Sequence, residues 1–164
     1  MIVYATSVQE FATARELFSE YADSLDFDLD FQDFRKELAE LPGEYAGPRG
    51  CILIALENGS AAGCVALRKL REIGNDIAEM KRLYIRPQFR RTGLGKLLAQ
   101  RIVEEARQRG YKRMFLDTVP SMEPAIMLYR SLGFRPIAPY RYNPIEGALF
   151  MELDLYPPPK LTPR

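Results

Sequence analysis

Two spacings of hydrophobic residues alternate along this chain, one typical of helices and the other typical of strands. Apolar residues recur at helical spacing after Ser7 and again from Phe31 to Leu41, which predicts two amphipathic helices behind a short first strand, "IVYAT". Ser7 and Glu10 stand three residues apart, the spacing of a capping box, so the first helix is expected to begin directly after Ser7. The chain is therefore predicted to open as strand, helix, helix.

Strand-type and helix-type segments continue to alternate after residue 50. The run "CILIALENGSAAGCVALRKL" predicts a hairpin about an Asn-Gly turn, and "AEMKRLYI" predicts a further strand that Pro87 stops. The helical face that follows, up to a capping Gly110, consists of Leu94, Leu97, Leu98, Ile102 and Ala106. The apolar run "RMFLDTV" predicts a central strand covered on both faces, "EPAIMLYRSLGF" a short helix, and "ALFMELDL" a last strand. The order β-α-α-β-β-β-α-β-α-β is that of one mixed α/β domain.

Length and composition describe one soluble domain. The chain has 164 residues, of which 47% are hydrophobic and 27% charged, enough for a substantial core within a single domain, residues 1–155. The last residues, 156–164, are rich in proline and are expected to form a loose tail. The N-terminus lacks the pattern of a signal peptide, and no apolar run reaches the ~20 residues of a membrane helix. A cytoplasmic protein without a membrane partner is therefore expected.

The chain contains two cysteines and no histidine. This scarcity argues against a metal centre built on Cys and His ligands, and proton transfer near neutral pH must then use carboxylates, tyrosine or water. Counted from a two-residue Asn-Gly turn, Cys51 lies opposite Ala66 and diagonal to Cys64 on the same sheet face, so a disulfide is geometrically allowed. Reduced cysteines within the core are the expected state.

Charge is unevenly distributed although the net charge is only +1. The segment from Glu10 to Glu44 carries eleven acidic and three basic residues, whereas the segment from Lys81 to Arg113 carries eleven basic and two acidic residues. Each block taken singly is an ordinary solvated surface, but as a pair they suggest one surface for an anion and another for a cation. The basic residues surround a tight loop without interleaved aromatic residues, which argues against a nucleic-acid partner.

The stretch "RRTGLGKLL" joins a strand to a helix and contains two glycines. One interpretation is a plain turn. The other is a phosphate site, because a helix N-terminus offers unpaired N–H groups, glycine lets a ligand approach them, and Arg90, Arg91 and Lys96 add positive charge. Two familiar phosphate loops fit poorly: a Walker loop requires serine or threonine where Leu97 follows Lys96, and a dinucleotide fingerprint requires glycine where Leu98 stands.

A resemblance to a known family favours the phosphate site. "RRTGLG" resembles the [QR]-x-x-G-x-[GA] loop of the GNAT N-acetyltransferase superfamily, which binds the pyrophosphate of acetyl-CoA. "EMKRLYIRP" resembles that family's fourth strand and "AIMLYRSLGF" its late helix, with "RMFLDTV" between them as the fifth strand, so that the resemblance covers about residues 1 to 155. It implies a single-domain α/β fold with a mixed, mostly antiparallel twisted sheet, splayed strands 4 and 5, and helices on both faces. One departure is Met122, which stands where the family often has an asparagine that contacts the cofactor.

The resemblance also implies a function and a cofactor site. The function is transfer of the acetyl group from acetyl-CoA to a primary amine, without a metal, by direct attack in a ternary complex. The cofactor-binding residues that carry over are Leu83, Tyr84, Ile85, Arg90, Arg91, Thr92, Gly93, Leu94, Gly95 and Lys96. Within this set the main chain of Leu83 and Ile85 is expected to hold pantetheine, and the Ile85 N–H is expected to donate to the thioester oxygen.

Two catalytic residues are implied by the same resemblance. Tyr129 matches the family tyrosine whose hydroxyl protonates or hydrogen-bonds the coenzyme A sulfur, and a packed core aromatic is the alternative for this residue. Glu79 lies eleven residues before Arg90, the spacing of the general-base glutamate in the histone-acetyltransferase branch. The alternatives are that Glu79 is a strand glutamate paired with Lys81, and that Asp117 or the acidic helices supply the base.

The sequence leaves the acetyl acceptor open. The acidic block favours a cationic amine. An amino-acid acceptor would instead require cations for its carboxylate, and the candidates are Arg49, Arg68, Arg71 and Arg141. The segment "PYRYNPIEG" is a candidate to close over the acceptor. A small-molecule acceptor is preferred to a protein lysine or N-terminus, and a homodimer, common in the superfamily, fits as well. The competing class of function is a non-catalytic acyl-CoA-binding or regulatory module, and retention of both predicted catalytic residues favours the enzyme.

Overall fold

Seven strands and four helices make up the described part of the protein, residues 1–29 and 32–155 of a computed structural model. The strands are β1 Ile2–Tyr4, β2 Cys51–Glu57, β3 Ser60–Lys69, β4 Ile77–Ile85, β5 Arg113–Thr118, β6 Arg135–Ile137 and β7 Leu149–Asp154. The helices are α1 Val8–Ser24, α2 Phe34–Glu40, α3 Leu94–Gln108 and α4 Glu123–Ser131. The predicted order is confirmed with one addition, the short strand β6. Phe31 and the tail 156–164 lie outside the described residues, and no helix within the described ranges is long and apolar enough to cross a membrane.

The strands form one sheet in the order β1-β2-β3-β4-β5-β7-β6. All neighbours are antiparallel except β4 and β5. The parallel ladder between these two covers Ile77–Glu79 and Arg113–Phe115, although β4 continues to Ile85 and β5 to Thr118. Beyond the ladder the two strands diverge, and we call this opening the fork. The predicted mostly antiparallel sheet with splayed strands 4 and 5 is confirmed.

Local sequence signals place the helix ends. The Ser7 hydroxyl accepts from the Glu10 N–H at 3.1 Å, and the Glu10 carboxylate accepts from the Ser7 N–H at 2.9 Å, so α1 begins with the predicted capping box. Gly110 has a φ of 85°, and its N–H bonds the Arg107 carbonyl at 3.0 Å, which ends α3 at the predicted position.

Both faces of the sheet are covered by helices. One face packs against α3, whose buried apolar residues are Leu94, Leu98, Ala99, Ile102, Val103 and Ala106. The opposite face packs against α1 and α2, whose buried residues are Ala14, Leu17, Phe18 and Phe34. Leu97, predicted to lie on the apolar face of α3, is 53% exposed instead, because the buried stripe of that helix is centred on Leu98 and Ile102.

The β2–β3 hairpin contains an extra residue that counting from its turn misses. Glu57 pairs with Ser60 as predicted, but Ala62 forms a bulge in β3 that displaces the remaining pairs by one residue. Since successive strand residues face opposite sides, Cys51 and Cys64 lie in the two separate cores. The prediction that they share a sheet face is therefore wrong, and both are buried free thiols.

A second bulge lies in β4. Cys64 pairs with Tyr84 and Ala66 pairs with Lys81, so a single β3 residue faces two residues of β4. One of these two, Arg82, has a φ of 62°, a conformation rare for residues other than glycine. The bulge leaves two successive cationic side chains, Lys81 and Arg82, on the face that carries α1 and α2.

Candidate active site

Three adjoining cavities run across the sheet at the fork. The first, here called the long cleft, has a volume of about 860 Å³ and lies between the end of α1, the start of α3 and the start of α4. The second, the fork chamber, holds about 40 Å³ between β4 and β5. The third, the α2 pocket, has about 470 Å³ and lies under α2. The chamber shares Leu83 and Met122 with the long cleft, and Gln32 and Lys81 with the α2 pocket, so it lies between the two larger spaces.

The glycine loop presents free main-chain amides to the long cleft. The first amide of α3 with an internal partner is that of Leu97, which bonds the Gly93 carbonyl at 3.1 Å. The preceding amides, from Arg91 to Lys96, have no acceptor among the described residues. Arg91 and Gly93 have positive φ values of 65° and 82°, which curl the loop. Such a run of unpaired amides at a helix N-terminus is suited to an anion.

Most of the predicted cofactor-binding residues border this cleft. Those that line it are Leu83, Tyr84, Ile85, Arg90, Arg91, Gly93, Leu94 and Gly95. Thr92 and Lys96 do not, and the Thr92 hydroxyl instead donates to the Phe89 carbonyl at 2.9 Å. Arg90 folds back over β4, where its Nε donates to the Ile85 carbonyl at 2.9 Å. The assignment of these residues to a cofactor stays a prediction.

Sequence reasoning missed the opposite wall of the long cleft. That wall is formed by Tyr21, Ser24, Leu25 and Asp26 at the end of α1, and by Ser121, Met122, Pro124, Ala125 and Leu128 around the start of α4. No short motif marks the α1 residues, because the tertiary packing of α1 over the fork brings them there. Met122, the departure from the family pattern, precedes α4 and lines both the long cleft and the fork chamber.

Tyr129 and Asp117 meet in the fork chamber. Tyr129 lies on α4 with its ring edge-on to Phe134, at 5.8 Å between centroids, and its hydroxyl has no hydrogen-bond partner within residues 1–29 and 32–155. Burial raises the pKa of this phenol, so it stays protonated at neutral pH. Asp117 projects from β5, and one of its oxygens accepts from Asn143 Nδ2 at 3.3 Å. The chamber therefore contains a neutral proton donor and a carboxylate.

Glu79 is fully buried on β4, and both of its carboxylate oxygens are engaged. Oε1 accepts from Arg68 Nε at 2.8 Å, whereas Oε2 accepts from the Tyr140 hydroxyl at 2.8 Å and from Arg141. Burial alone would raise the pKa of this carboxyl group. The neighbouring cations, first Lys81 and then the two arginines, act in the opposite direction, and the tyrosine hydrogen bond adds to their effect. Together they outweigh burial and lower the pKa to about 2. A carboxylate held in this way is a weak proton acceptor at neutral pH.

Lys81 lies at the boundary between the fork chamber and the α2 pocket and lines both. Burial and the positive charge of Arg82 lower the pKa of its ammonium group to about 8. The nearby carboxylates of Glu79 and Glu37 are bonded to arginines, and the described ranges contain no hydrogen-bond or ion-pair partner for Lys81. Of the pairing of Glu79 with Lys81 considered from the sequence, a longer-range attraction between the two charges remains, whereas the direct bonds of Glu79 are made with Arg68 and Arg141.

The acidic and basic blocks partly neutralise each other. Arg82 forms a two-point ion pair with Glu37 of α2 at 2.8 and 2.9 Å, and Arg86 bonds Glu16 and Glu20 of α1. These pairs hold the first two helices against β4. The expectation of two separate surfaces, one for an anion and one for a cation, is wrong for these residues, because three-dimensional pairing between the blocks is invisible in a linear count.

Comparisons with known proteins agree with this geometry. Residues 11–134 match the model of the Acetyltransferase (GNAT) family. An uncharacterised N-acetyltransferase of Schizosaccharomyces pombe is 39% identical over 148 residues, which cover 90% of each chain. A solved structure of a putative acyl-CoA N-acyltransferase from Klebsiella pneumoniae superposes with a TM-score of 0.69 at 28% identity, over 95% of this chain and 97% of the other.

A second solved structure adds a bound ligand. It is a putative acetyltransferase from Salmonella typhimurium with its cofactor acetyl-CoA, and it superposes with a TM-score of 0.69 at 22% identity, over 94% of this chain and 93% of the other. At that identity the likeness concerns the fold alone. In the described part of the present chain, no three His, Cys, Asp or Glu side chains are grouped so as to hold a metal ion.

Proposed function

The chain belongs to the GNAT acetyltransferase family, and from this premise we propose that it transfers the acetyl group of acetyl-CoA to the primary amine of a small molecule. One observation carries the proposal. A small chamber lined by Tyr129 and Asp117 lies between an amide-lined cleft and a separate pocket and shares lining residues with both. A transferase that joins two substrates requires two binding sites that meet at one reacting point.

The long cleft fits the cofactor by its chemistry. The free amides from Arg91 to Lys96 match a diphosphate, and the side chains of Arg90 and Arg91 border the same space. The edge of β4 inside the fork is available to an extended ligand, because the ladder to β5 ends at Glu79. Acetyl-CoA, when bound, supplies an activated thioester.

The chamber residues supply the proton transfers. Asp117 takes a proton from the acceptor ammonium, directly or through a water, so that the neutral nitrogen attacks the thioester carbonyl. A C–N bond forms, the C–S bond breaks, and the Tyr129 hydroxyl gives its proton to the departing sulfur. The acetylated nitrogen releases its second proton to solvent, Asp117 releases the proton that it took, and the phenolate regains a proton from solvent. The main-chain N–H of Ile85 is the proposed donor to the thioester oxygen, and one such donor contributes about 3 kcal/mol to the transition state.

Glu79 fits a positioning role better than the base role that its spacing implies. Its bonds with Tyr140 and Arg141 attach the segment before β7 to the centre of the sheet. To accept a proton it would first have to lose one of these partners. The prediction that it is the general base stays open to the experiment described in the Discussion.

The shape of the α2 pocket favours a small molecule over a protein lysine or N-terminus. Its volume of about 470 Å³ is typical of small-ligand sites. Arg141 and Tyr142, from the predicted closing segment, line the pocket opposite α2. A protein side chain needs an open approach, whereas this pocket is bordered from both sides.

Coenzyme A release with a panel of small amines tests the proposal, with calorimetry to measure acetyl-CoA affinity. Tyr129→Phe is expected to lower kcat by about a hundredfold, since a general acid contributes that much or more, while acetyl-CoA still binds. Retained affinity is the control for folding. Unchanged turnover would remove Tyr129 from the mechanism. Intact acetyl-CoA binding without release for any amine or peptide would contradict transfer and favour the non-catalytic module.

A further inference from the structure

We infer that the acceptor is an amine that also carries a carboxylate, as an amino acid does, and that Lys81 is the residue that selects for the carboxylate. The inference rests on the proposed transferase function and narrows its substrate class. It depends on the arrangement of charges at the boundary between the fork chamber and the α2 pocket.

The fork chamber contains one basic residue with an unpaired head group and one acidic residue, on opposite prongs of the fork. Lys81 projects from β4 and Asp117 from β5, and both line the chamber. Within residues 1–29 and 32–155 the two side chains form no ion pair with each other. A zwitterionic acceptor is complementary to this pair, because its ammonium group can meet Asp117 while its carboxylate meets Lys81.

The two arginines that line the α2 pocket are already paired with carboxylates, and the remaining lysine of that pocket, Lys36 of α2, does not line the fork chamber. Arg68 and Arg141 both bond Glu79, and Arg68 also bonds Glu44 at 2.7 Å. Of the arginines that the sequence offered for a carboxylate, Arg49 instead donates to the Asn75 carbonyl at 3.1 Å, away from this pocket. Among the described residues, Lys81 is left as the cation of the fork chamber that bonds no carboxylate directly, although Glu79 and Glu37 act on its charge at longer range. A partly buried cation without a directly bonded partner is costly, and a substrate carboxylate would supply that bond.

The fold gives a reason for this unpaired cation. The β4 bulge places Lys81 and Arg82 on the same face, and Glu37 bonds Arg82 through both oxygens. Burial, and after it the positive charge of Arg82, lowers the pKa of Lys81 to about 8, so the group is still mainly charged at neutral pH. Beside it, the buried Gln32 Oε1, which also lines the boundary, has no hydrogen-bond donor among the described residues. This oxygen offers a second contact for the ammonium group of the acceptor.

Matched acceptor pairs test the inference through turnover. Phenylalanine, lysine, arginine and tyrosine are each compared with the corresponding decarboxylated amine by coenzyme A release. For at least one pair, wild-type kcat/KM should favour the amino acid about tenfold to a hundredfold, the effect of one charged hydrogen-bonded contact. Lys81→Met should reduce that ratio towards one, mainly through KM, and Lys81→Arg should keep most of it. Lys69→Met, a lysine on β3 that lines none of the three cavities, is the matched control and should leave the ratio unchanged.

A binding measurement separates this inference from the proposed function. With 15N-lysine labelling, the Lys81 Nζ signal is assigned by its absence in Lys81→Arg and followed while each of the twenty amino acids is added in the presence of coenzyme A. A saturable shift with at least one amino acid, and none with its decarboxylated amine, supports the carboxylate site even where no acetyl transfer occurs. Amines acetylated as well as their amino acids, equal losses for both in Lys81→Met, or an unmoved Lys81 signal throughout would overturn it.

Discussion

Replacement of Glu79 by glutamine removes one buried charge and nearly keeps the shape of the side chain. The surrounding cations lower the pKa of this carboxyl group from 4.5 to about 2. A tenfold change in proton affinity is worth about 1.4 kcal/mol, so the ionised carboxylate contributes about 3 kcal/mol to the free energy of unfolding at neutral pH. Because the pKa is lower in the folded state, this contribution is complete above about pH 5 and is lost as the pH falls towards 2.

Urea unfolding of wild type and Glu79→Gln over pH 7 to 3 measures this contribution. The difference between the two free energies of unfolding should be about 3 kcal/mol at pH 7 and should shrink to about 1 kcal/mol at pH 3. Glu72→Gln removes an exposed carboxylate from the same Arg68 and should change stability by less than about 1 kcal/mol. A difference between wild type and Glu79→Gln that is equal at pH 7 and pH 3 would refute the assignment of a strongly stabilised charge to Glu79.

The same variant separates the two roles of Glu79 in catalysis. If it positions Tyr140 and Arg141, the KM for the amine rises and the acidic limb of the pH profile of kcat remains. If it is the general base, kcat falls and that acidic limb disappears.

Two glycines of the loop before α3 give further predictions. Gly93→Ala should cost about 1 kcal/mol of stability, because residue 93 has a φ of 82°, and should weaken acetyl-CoA binding at least about tenfold by reorienting the loop amides. Gly59→Ala is the matched control: its φ is 81°, neither position has an atom within 4 Å of an added Cβ, and only the stability loss should appear. Gly95→Ala should raise stability by about 0.5 kcal/mol, because alanine favours the helix and the new Cβ meets Ile85 at an ordinary 3.7 Å. The added methyl group also narrows the long cleft, so this variant should bind acetyl-CoA more weakly. Scanning calorimetry and titration calorimetry measure both quantities, and unchanged affinity in both loop variants would contradict the diphosphate assignment.

The features predicted correctly from the sequence depend on residues close together in the chain. The capping box of Ser7 and Glu10, the turn between β2 and β3, and the glycine that ends α3 each follow from a few neighbouring residues. The features that prediction missed depend on pairing between distant segments. Counting from the Asn-Gly turn does not reveal the bulge at Ala62, so the sheet face predicted for Cys64 is the wrong one.

The candidate site shows the same division. The glycine loop was found by motif, whereas the α1 wall of the long cleft and the exposed side of Leu97 depend on how helices pack. Lys81 was considered only as a partner for Glu79. Among the described residues it bonds no carboxylate, because Glu79 bonds Arg68 and Arg141, which are distant in sequence.

The fork has a mechanical consequence for the whole molecule. It divides the sheet into a larger lobe, β1–β4, and a smaller lobe, β5–β7, which share three residue pairs of ladder at the closed end. Strand edges that are normally confined to the rim of a sheet are thus present at its middle. A ligand bound between β4 and β5 would keep these two strands apart and at the same time bridge them. Amide hydrogen exchange along residues 81–85 and 116–118 would therefore report how tightly the two lobes are held together.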